Sequence, residues 1–443
     1  MKPIYILSGV RTAIGDFGGS LRDVPPAKLG AAVIAESIAR AGIGPDQVGH
    51  VVMGNVIPSE PKDAYLARVA AVNAGIPIEA PALTLNRLCG SGLQAIISAA
   101  QMIALDECDF AVAGGAESMT RSPHSVAAAR FGQKMGEIKM VDTLLAVLSD
   151  PFEGMHMGIT AENVAADHDI SRQDQDELAV LSHSRAARAQ QEGRFASQIL
   201  PIEVKDRKGI RMFDTDEHVR ADVSLAGLSG LKAVFKKDGT VTAGNASGIN
   251  DGAAAIVLAS QAAVDRDDLK PLARIIGWGH AGVQPDRMGI GPVKAVPIAL
   301  ERAGLALEQM DVIESNEAFA AQACAVAKVL GFDPEKVNPN GSGVSLGHPV
   351  GATGAILTVK AIYELERIGG RYGLITMCIG GGQGIAMVVE RVGAGEGRSC
   401  FPTQPRRSMA SCRTVCSLLR AALASAAFQK GCSTRCATAV FLA

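Results

Sequence analysis

Ala39-Arg-Ala-Gly-Ile-Gly-Pro-Asp-Gln-Val48 returns 262 residues later as Glu301-Arg-Ala-Gly-Leu-Ala-Leu-Glu-Gln-Met310, and each copy runs into a short apolar, β-branched stretch, 51–54 and 312–313. At nearly the same offset, the helical period from Gly92 and the strand pattern 110–115 recur as a helix from Ala352 and a strand over 372–380. Helix-period segments (29–41, 92–105, 352–366) alternate with short apolar runs that end in glycine, the pattern of an α/β protein. The duplication predicts two related α/β halves, with a site at their junction able to draw residues from both.

Between the halves, over 119–245, the pattern changes to polar helices at 160–167 and 172–192, separated by charge-rich stretches such as 205–211. Apolar runs at 144–148 and 155–159 make this segment too substantial for a structureless loop, so it is expected to be an inserted domain that helps shape a substrate site. The last strand of the body is expected at 385–392, before the break Gly393-Ala-Gly-Glu-Gly. The expected partition is 1–118 with 246–270 as the first half, 119–245 as the insertion, 271–392 as the second half and 393–443 as an atypical tail.

Composition narrows the function. With 48% hydrophobic and 20% charged residues among 443, the chain can bury a large core. Only 4% of residues are aromatic, against 49 glycines. That argues against base stacking on single-stranded nucleic acid. The net charge of −2 hides an asymmetry: residues 393–443 carry seven Lys/Arg and one acid, Glu396, and also Cys400, Cys412, Cys416, Cys432 and Cys436. Arg11 interrupts the apolar start before a secretory signal develops, so a cytoplasmic location is expected. The uncharged run 88–105 contains too many polar and glycine residues for a bilayer span and reads as a buried helix. In a reducing compartment a special cysteine is more readily a nucleophile than half of a disulfide.

Three segments place reactive side chains beside glycine. Asn86-Arg-Leu-Cys-Gly-Ser-Gly-Leu-Gln-Ala95 puts Cys89 at the entrance of a helix, where unpaired N–H groups favour a thiolate. Asn338-Pro-Asn-Gly-Ser-Gly-Val-Ser-Leu-Gly-His-Pro-Val-Gly-Ala-Thr-Gly354 presents His348 as a group able to exchange a proton at neutral pH, and its glycines suggest backbone passing close to a ligand. The spacing does not fit a dinucleotide fingerprint. Met377-Cys-Ile-Gly-Gly-Gly-Gln-Gly384 follows a strand and exposes Cys378 beside successive backbone amides, an arrangement suited to a developing oxyanion. Asn316-Glu-Ala-Phe-Ala320, at the end of a strand over 311–315, offers an uncharged amide to position a water. Buried structural cysteines and capping histidines are the commoner fates of such residues taken singly.

Together these blocks, in order and over residues 1–392, resemble the thiolase family. The resemblance implies a five-layered αβαβα body built from two similar halves with an inserted loop domain. It implies an acyltransferase that cleaves 3-ketoacyl-CoA with CoA or condenses acyl-CoA with acetyl-CoA. Cys89 would take the acyl group, His348 would activate that thiol, and Cys378 would move the proton at the α-carbon. His348 with a water on Asn316 would form one oxyanion hole, and the Cys89 and Gly380 amides another. For the coenzyme, the resemblance carries over His156, Met157, Arg220, Ser247, Met288 and Phe319. Coenzyme A and acyl-CoA are then substrates, with no permanently bound cofactor, no metal, and no nucleic-acid or membrane partner. A homodimer or homotetramer is implied as well. Within the family the chain looks most like bacterial β-ketothiolases, including the type that supplies polyhydroxyalkanoate precursors, and fatty-acid breakdown is equally compatible. Pocket size near Leu148, His156, Met157 and Met288 would set acyl-chain length.

Two other classes are compatible with the fold. A decarboxylating ketoacyl synthase would be expected to carry a histidine where this chain has Cys378, and a non-catalytic acyl-CoA-binding module would have lost Cys89, His348 or Cys378. The tail departs from the family pattern. Its Cys412-x-x-x-Cys416 and Cys432-x-x-x-Cys436 pairs lack the usual zinc-knuckle spacing, and 416–428 is too short to span a membrane. The tail is expected to have no catalytic role. Removing 393–443 should leave turnover intact in a CoA-dependent cleavage assay, and a large loss would overturn that expectation.

Overall fold

The repeated Arg-Ala-Gly turns out to be a helix stop. Helix α1 (Pro26–Ala41) ends at Gly42 with φ 73°, and the helix Gly291–Ala303 ends at Gly304 with φ 68°; each left-handed residue closes the last turn and sends the chain into a strand. The computed structural model describes residues 2–206 and 209–393. In chain order its principal elements are β1 (Ile4–Thr12), α1, β2 (His50–Gly54), α2 (Leu66–Asn73), β3 (Ala82–Leu85), α3 (Ser91–Ala104), β4 (Phe110–Ser118), α4 (Met157–Asp167) and α5 (Arg172–Gln191). They continue as β5 (Asn250–Ser260), β6 (Ala273–Gly282), α6 (Gly291–Ala303), β7 (Val312–Ser315), α7 (Ala320–Leu330), α8 (Thr353–Ile368), β8 (Tyr372–Ile379) and β9 (Gln383–Arg391).

The two halves match strand for strand. The first runs β1-β5-β4-β2-β3 and the second β6-β9-β8-β7, each with two antiparallel pairings followed by parallel ones. A parallel bridge between Ile313 and Val337 stands where β3 stands in the first half. Three antiparallel residue pairs, Ile4 with Ile275, Tyr5 with Arg274 and Ile6 with Ala273, join the halves edge to edge.

Helices α1 and α2 cover one sheet, α6 covers the other, and α3 and α8 lie between them, giving the layered α/β body. A sandwiched helix must be apolar on every side. Accordingly α3 buries Leu93, Ile96, Ile97, Ala100 and Ile103 on one stripe and Ala95 and Ala99 beside it. Between α3 and α8 the backbones nearly touch. A Cβ on Gly92 would stand 2.8 Å from Ala355 N, and one on Gly354 would stand 2.3 Å from Leu93 N. These two glycines are 262 residues apart, so the repeat in sequence is also a contact in space.

Residues from 119 to 245 supply α4 and α5, which pack on α7 and so rest on the second half. Ser171 caps α5 from its side-chain oxygen to Asp174 N, and the Asp174 carboxylate returns the bond to Ser171 N at 2.8 Å. The insertion is also pinned to β1: Arg11 makes a fully buried bidentate pair with Asp216, at 2.7 and 3.0 Å. Such a pair is costly to break from one side, by roughly 3–5 kcal/mol. Of the charge-rich stretch 205–211, expected only to separate helices, the described residues 205–206 and 209–211 belong to an antiparallel strand pair, Ile202–Asp206 with Gly209–Phe213. Among the described residues no helix is long and apolar enough to cross a membrane, and no cluster of His, Cys, Asp and Glu is arranged to hold a metal. The tail and its cysteines lie outside the described residues.

Candidate active site

The ends of α3, α8, β8 and the insertion converge on one small cleft of about 50 Å³. It is lined by Leu88, Cys89, Val147, Leu148, Met157, Ser247, Met288, Ala318, Phe319, His348, Val350 and Gly380. Eight residues nominated from sequence therefore share it: Cys89, Leu148, Met157, Ser247, Met288, Phe319, His348 and Gly380.

Cys89 stands two residues ahead of α3, on a turn whose preceding residue, Leu88, has φ 45°. A leucine in the left-handed region is strained, typically by about 1–3 kcal/mol, and persists only where neighbours hold it. Here Asn86 Oδ1 accepts Leu88 N at 2.9 Å, while Ser91 Oγ donates to Leu88 O at 2.7 Å and accepts from Arg87 N at 2.8 Å. The thiol accepts a hydrogen bond from the Gly380 amide. Its charge state differs from the expected thiolate. Burial raises the Cys89 pKa and outweighs the backbone donors, because the residue sits outside the first helical turn, beside Glu117. The resting group is a thiol that needs a base.

His348 is buried and its contacts fix its tautomer. Thr353 Oγ1 spends its proton on Pro349 O at 2.8 Å, so at 2.7 Å from His348 Nδ1 it accepts, and Nδ1 carries the ring proton. Nε2 is left without a proton and accepts a hydrogen bond from Asn316 Nδ2 at 3.3 Å. Burial pushes the imidazole down to about 4, so the ring is neutral at physiological pH. Asn250 Oδ1 accepts His348 N at 2.9 Å. Gly347, at φ 103°, leaves the space this amide needs, since a Cβ would stand 2.4 Å from Asn250 Cγ.

Cys378, expected to be exposed, is fully buried at the end of β8, in an apolar cluster with Met157, Met288 and Phe319. Burial first, and the neighbouring Cys89 second, raise its thiol pKa well above the usual range. Gly380 follows directly. A side chain there would stand 2.8 Å from Met157 Cε and 3.0 Å from Leu88 Cδ1, closing the cleft. The glycines of 341–354 also serve packing. Apart from the Gly347 contact, they allow protein to meet protein: Gly351 O lies where a Cβ on Gly54 or Gly115 would fall, at 2.6 and 2.1 Å.

His156 and Arg220 lie outside the cleft lining. His156 caps α4, its Nδ1 accepting Gly158 N at 3.0 Å, and its ring stacks on Phe235 at 4.5 Å. Phe235 in turn meets Phe319 edge to face at 6.3 Å, which carries the apolar rim from the insertion to the cleft. Arg220 is exposed, with its backbone N–H on His183 Nδ1 at 3.1 Å. Sequence reasoning missed Phe235, Thr353, Asn250 and Glu117. Phe235 had one visible signal, an aromatic alone among Lys232, Lys236 and Lys237.

A thiol nucleophile, a neutral histidine with an unprotonated nitrogen, backbone donors and a second thiol buried beside one cleft define an enzyme of covalent acyl transfer. The family model described as "Thiolase, N-terminal domain" matches residues 4–262, and "Thiolase, C-terminal domain" matches 269–391. The chain belongs to the thiolase family. The beta-ketothiolase BktB of Cupriavidus necator is 62% identical over 392 residues, covering 88% of this chain and 100% of that one. The acetyl-CoA acetyltransferase of Shinella zoogloeoides is 48% identical over 389 residues, with 88% and 99% covered. Among solved structures, Bacillus anthracis acetyl-CoA acetyltransferase superposes with a TM-score of 0.87 at 46% identity, covering 88% of this chain and 99% of its own. Human mitochondrial 3-ketoacyl-CoA thiolase in complex with CoA gives 0.86 at 43%, covering 88% and 98%.

Proposed function

We propose that this chain catalyses the reversible CoA-dependent cleavage of short-chain 3-ketoacyl-CoA, and the reverse condensation of an acyl-CoA with acetyl-CoA, through an acyl-thioester on Cys89. The observation that carries this reading is the unprotonated Nε2 of a neutral His348 in the same cleft as Cys89, with Cys378 buried beside that cleft among Met157, Met288 and Phe319. His348 Nε2 takes the Cys89 proton, and the thiolate attacks the acyl carbonyl. In cleavage, the Gly380 and Cys89 amides hold the tetrahedral oxyanion until the carbon–carbon bond breaks and the acetyl-CoA enolate leaves. Protonated at both nitrogens, His348 then becomes a donor and, with a water on Asn316 Nδ2, faces the enolate oxygen of the second acyl group. Cys378 gives or takes the proton at the α-carbon.

The insertion, residues 119–245, supplies the grip on coenzyme A in this reading. Met157, Ser247 and Met288 line the way to Cys89, the stack of His156, Phe235 and Phe319 forms an apolar wall for the pantetheine, and Arg220 offers a cation further out. Coenzyme A enters and leaves as substrate. Replacing Phe235 with alanine removes the middle ring of that wall, and its expected signature is a KM for CoA raised about tenfold with kcat within twofold. An unchanged KM would remove Phe235 from the binding path. Assembly as a homodimer or homotetramer in the cytoplasm, and a role in polyhydroxyalkanoate precursor supply or fatty-acid breakdown, belong to the same proposal.

The test is a coupled assay on the purified chain, following CoA-dependent loss of acetoacetyl-CoA and 3-ketovaleryl-CoA. Cleavage of either supports the reading, and their ratio measures how far Leu88, Val147 and Leu148 restrict the acyl chain. No cleavage of either by a folded chain would favour an acyl-CoA-binding module.

A further inference from the structure

Glu117 is fully buried near the end of β4, and the steps above make no use of it. Its two oxygens accept four N–H groups. Oε1 takes Asn55 Nδ2 and Ile57 N, each at 3.1 Å, and Oε2 takes Val56 N and Gly351 N, each at 2.9 Å. A buried carboxylate is normally expensive, and four donors are what make it tolerable.

The donors come from two places. Asn55, Val56 and Ile57 follow β2, and this segment reaches the nucleophile: Asn86 Nδ2 donates to Val56 O at 3.3 Å, and Asn86 Oδ1 accepts Leu88 N. Val56 and Ile57 also share an apolar cluster with Leu88, Cys89 and Val350. Gly351 belongs to the turn that carries His348, three residues earlier. That turn is held from its other end by Asn250, so Glu117 controls the Gly351 end alone.

We propose that Glu117 is a positioning residue that sets the spacing of Cys89 and His348, because one buried carboxylate ties down both the segment supporting the Cys89 turn and the turn bearing His348. The proposal rests on the reading of the cleft as a thiolase site. When ionised, Glu117 also helps to keep the Cys89 thiol protonated. Burial pushes the Glu117 carboxyl itself up to about 8, against the pull of the Val56, Ile57 and Gly351 amides.

Glu117→Gln keeps the size of the side chain but puts an NH2 group where one oxygen met two N–H donors, so either the 55–57 segment or Gly351 must move. Full-length wild type, Glu117→Gln and Asn86→Ala are compared in thiolysis of acetoacetyl-CoA, in the rate of Cys89 alkylation by iodoacetamide, and in thermal melting. The expected result for Glu117→Gln is a kcat lower by roughly 10²-fold, the loss typical of a misplaced catalytic group. KM for CoA and acetoacetyl-CoA should stay within twofold, and Cys89 alkylation should slow because His348 no longer takes its proton. A folded Glu117→Gln enzyme with kcat within threefold of wild type, or with normal Cys89 alkylation, would overturn the proposal. Should Glu117→Gln fail to fold, Asn86→Ala decides: this exposed residue carries the link on the Cys89 side, and its loss should lower kcat about tenfold at constant KM. An unchanged kcat there would equally sink the proposal. Absence of thiolysis by wild type would count against the proposed function, while the alkylation comparison would still report whether Glu117 couples His348 to Cys89.

Discussion

Cys89→Ala is expected to fold normally and to lose CoA-dependent cleavage of acetoacetyl-CoA by roughly 10⁴-fold or more, the scale on which removal of a covalent nucleophile acts. The fold should survive because the turn is held by Asn86, Ser91 and Arg87, none of which bonds to the thiol. The loss should be severe because the described residues offer no substitute. Of the other three cysteines among them, Cys108 is pushed up to about 11 and Cys324 to about 12 by burial and neighbouring carboxylates, and neither lines the cleft. Cys378 lies nearby, but it is fully buried in its apolar cluster and does not line the cleft. The same variant should fail to become labelled when incubated with radioactive acetyl-CoA, whereas wild type should retain one acetyl group per chain through denaturation. Cleavage above about a tenth of the wild-type rate would place the acyl carrier elsewhere.

The parts of this protein that were legible in its sequence are those written in local chemistry. The repeated Arg-Ala-Gly could be read because a left-handed glycine closes a helix wherever it stands, as Gly42 and Gly304 do. Cys89, His348 and Gly380 could be nominated because each sits in a short glycine-rich block. What escaped is set by distance along the chain. Glu117 and Gly351 meet across 234 residues, and Asn250 and His348 across 98; no local pattern announces such a pair. Arg11 looked like an interruption of an apolar start, and only its contact with Asp216, 205 residues away, gives it a role. The charge state of Cys89 was misjudged for a related reason. Proximity to a helix start is visible in sequence, but the depth of burial that outweighs it is a property of the assembled sheets.

The same contrast between local residue and assembled environment governs Cys378→Ala, which should separate two chemistries that wild type performs together. In the proposed mechanism this thiol moves the α-carbon proton, so with its loss both cleavage and condensation should fall by roughly 10²–10⁴-fold, the range of general acid–base catalysis. Acyl transfer in that mechanism needs only Cys89, His348 and the Gly380 amide. Exchange of labelled CoA into acetyl-CoA should therefore continue within about threefold of wild type, a small change for a residue outside the transferring bond. Packing should tolerate the change, because a Cys-to-Ala replacement removes a single heavy atom from a cluster that keeps Met157, Met288 and Phe319 in contact. The electrostatics favour one order of events. Burial is the main cause of the raised Cys378 thiol, and negative charge on Cys89 adds to it, so acylation of Cys89 should ease release of the Cys378 proton. A variant that lost exchange and carbon–carbon chemistry in equal measure would show that Cys378 supports the Cys89 site as a whole, and the two-thiol division of labour would have to be abandoned.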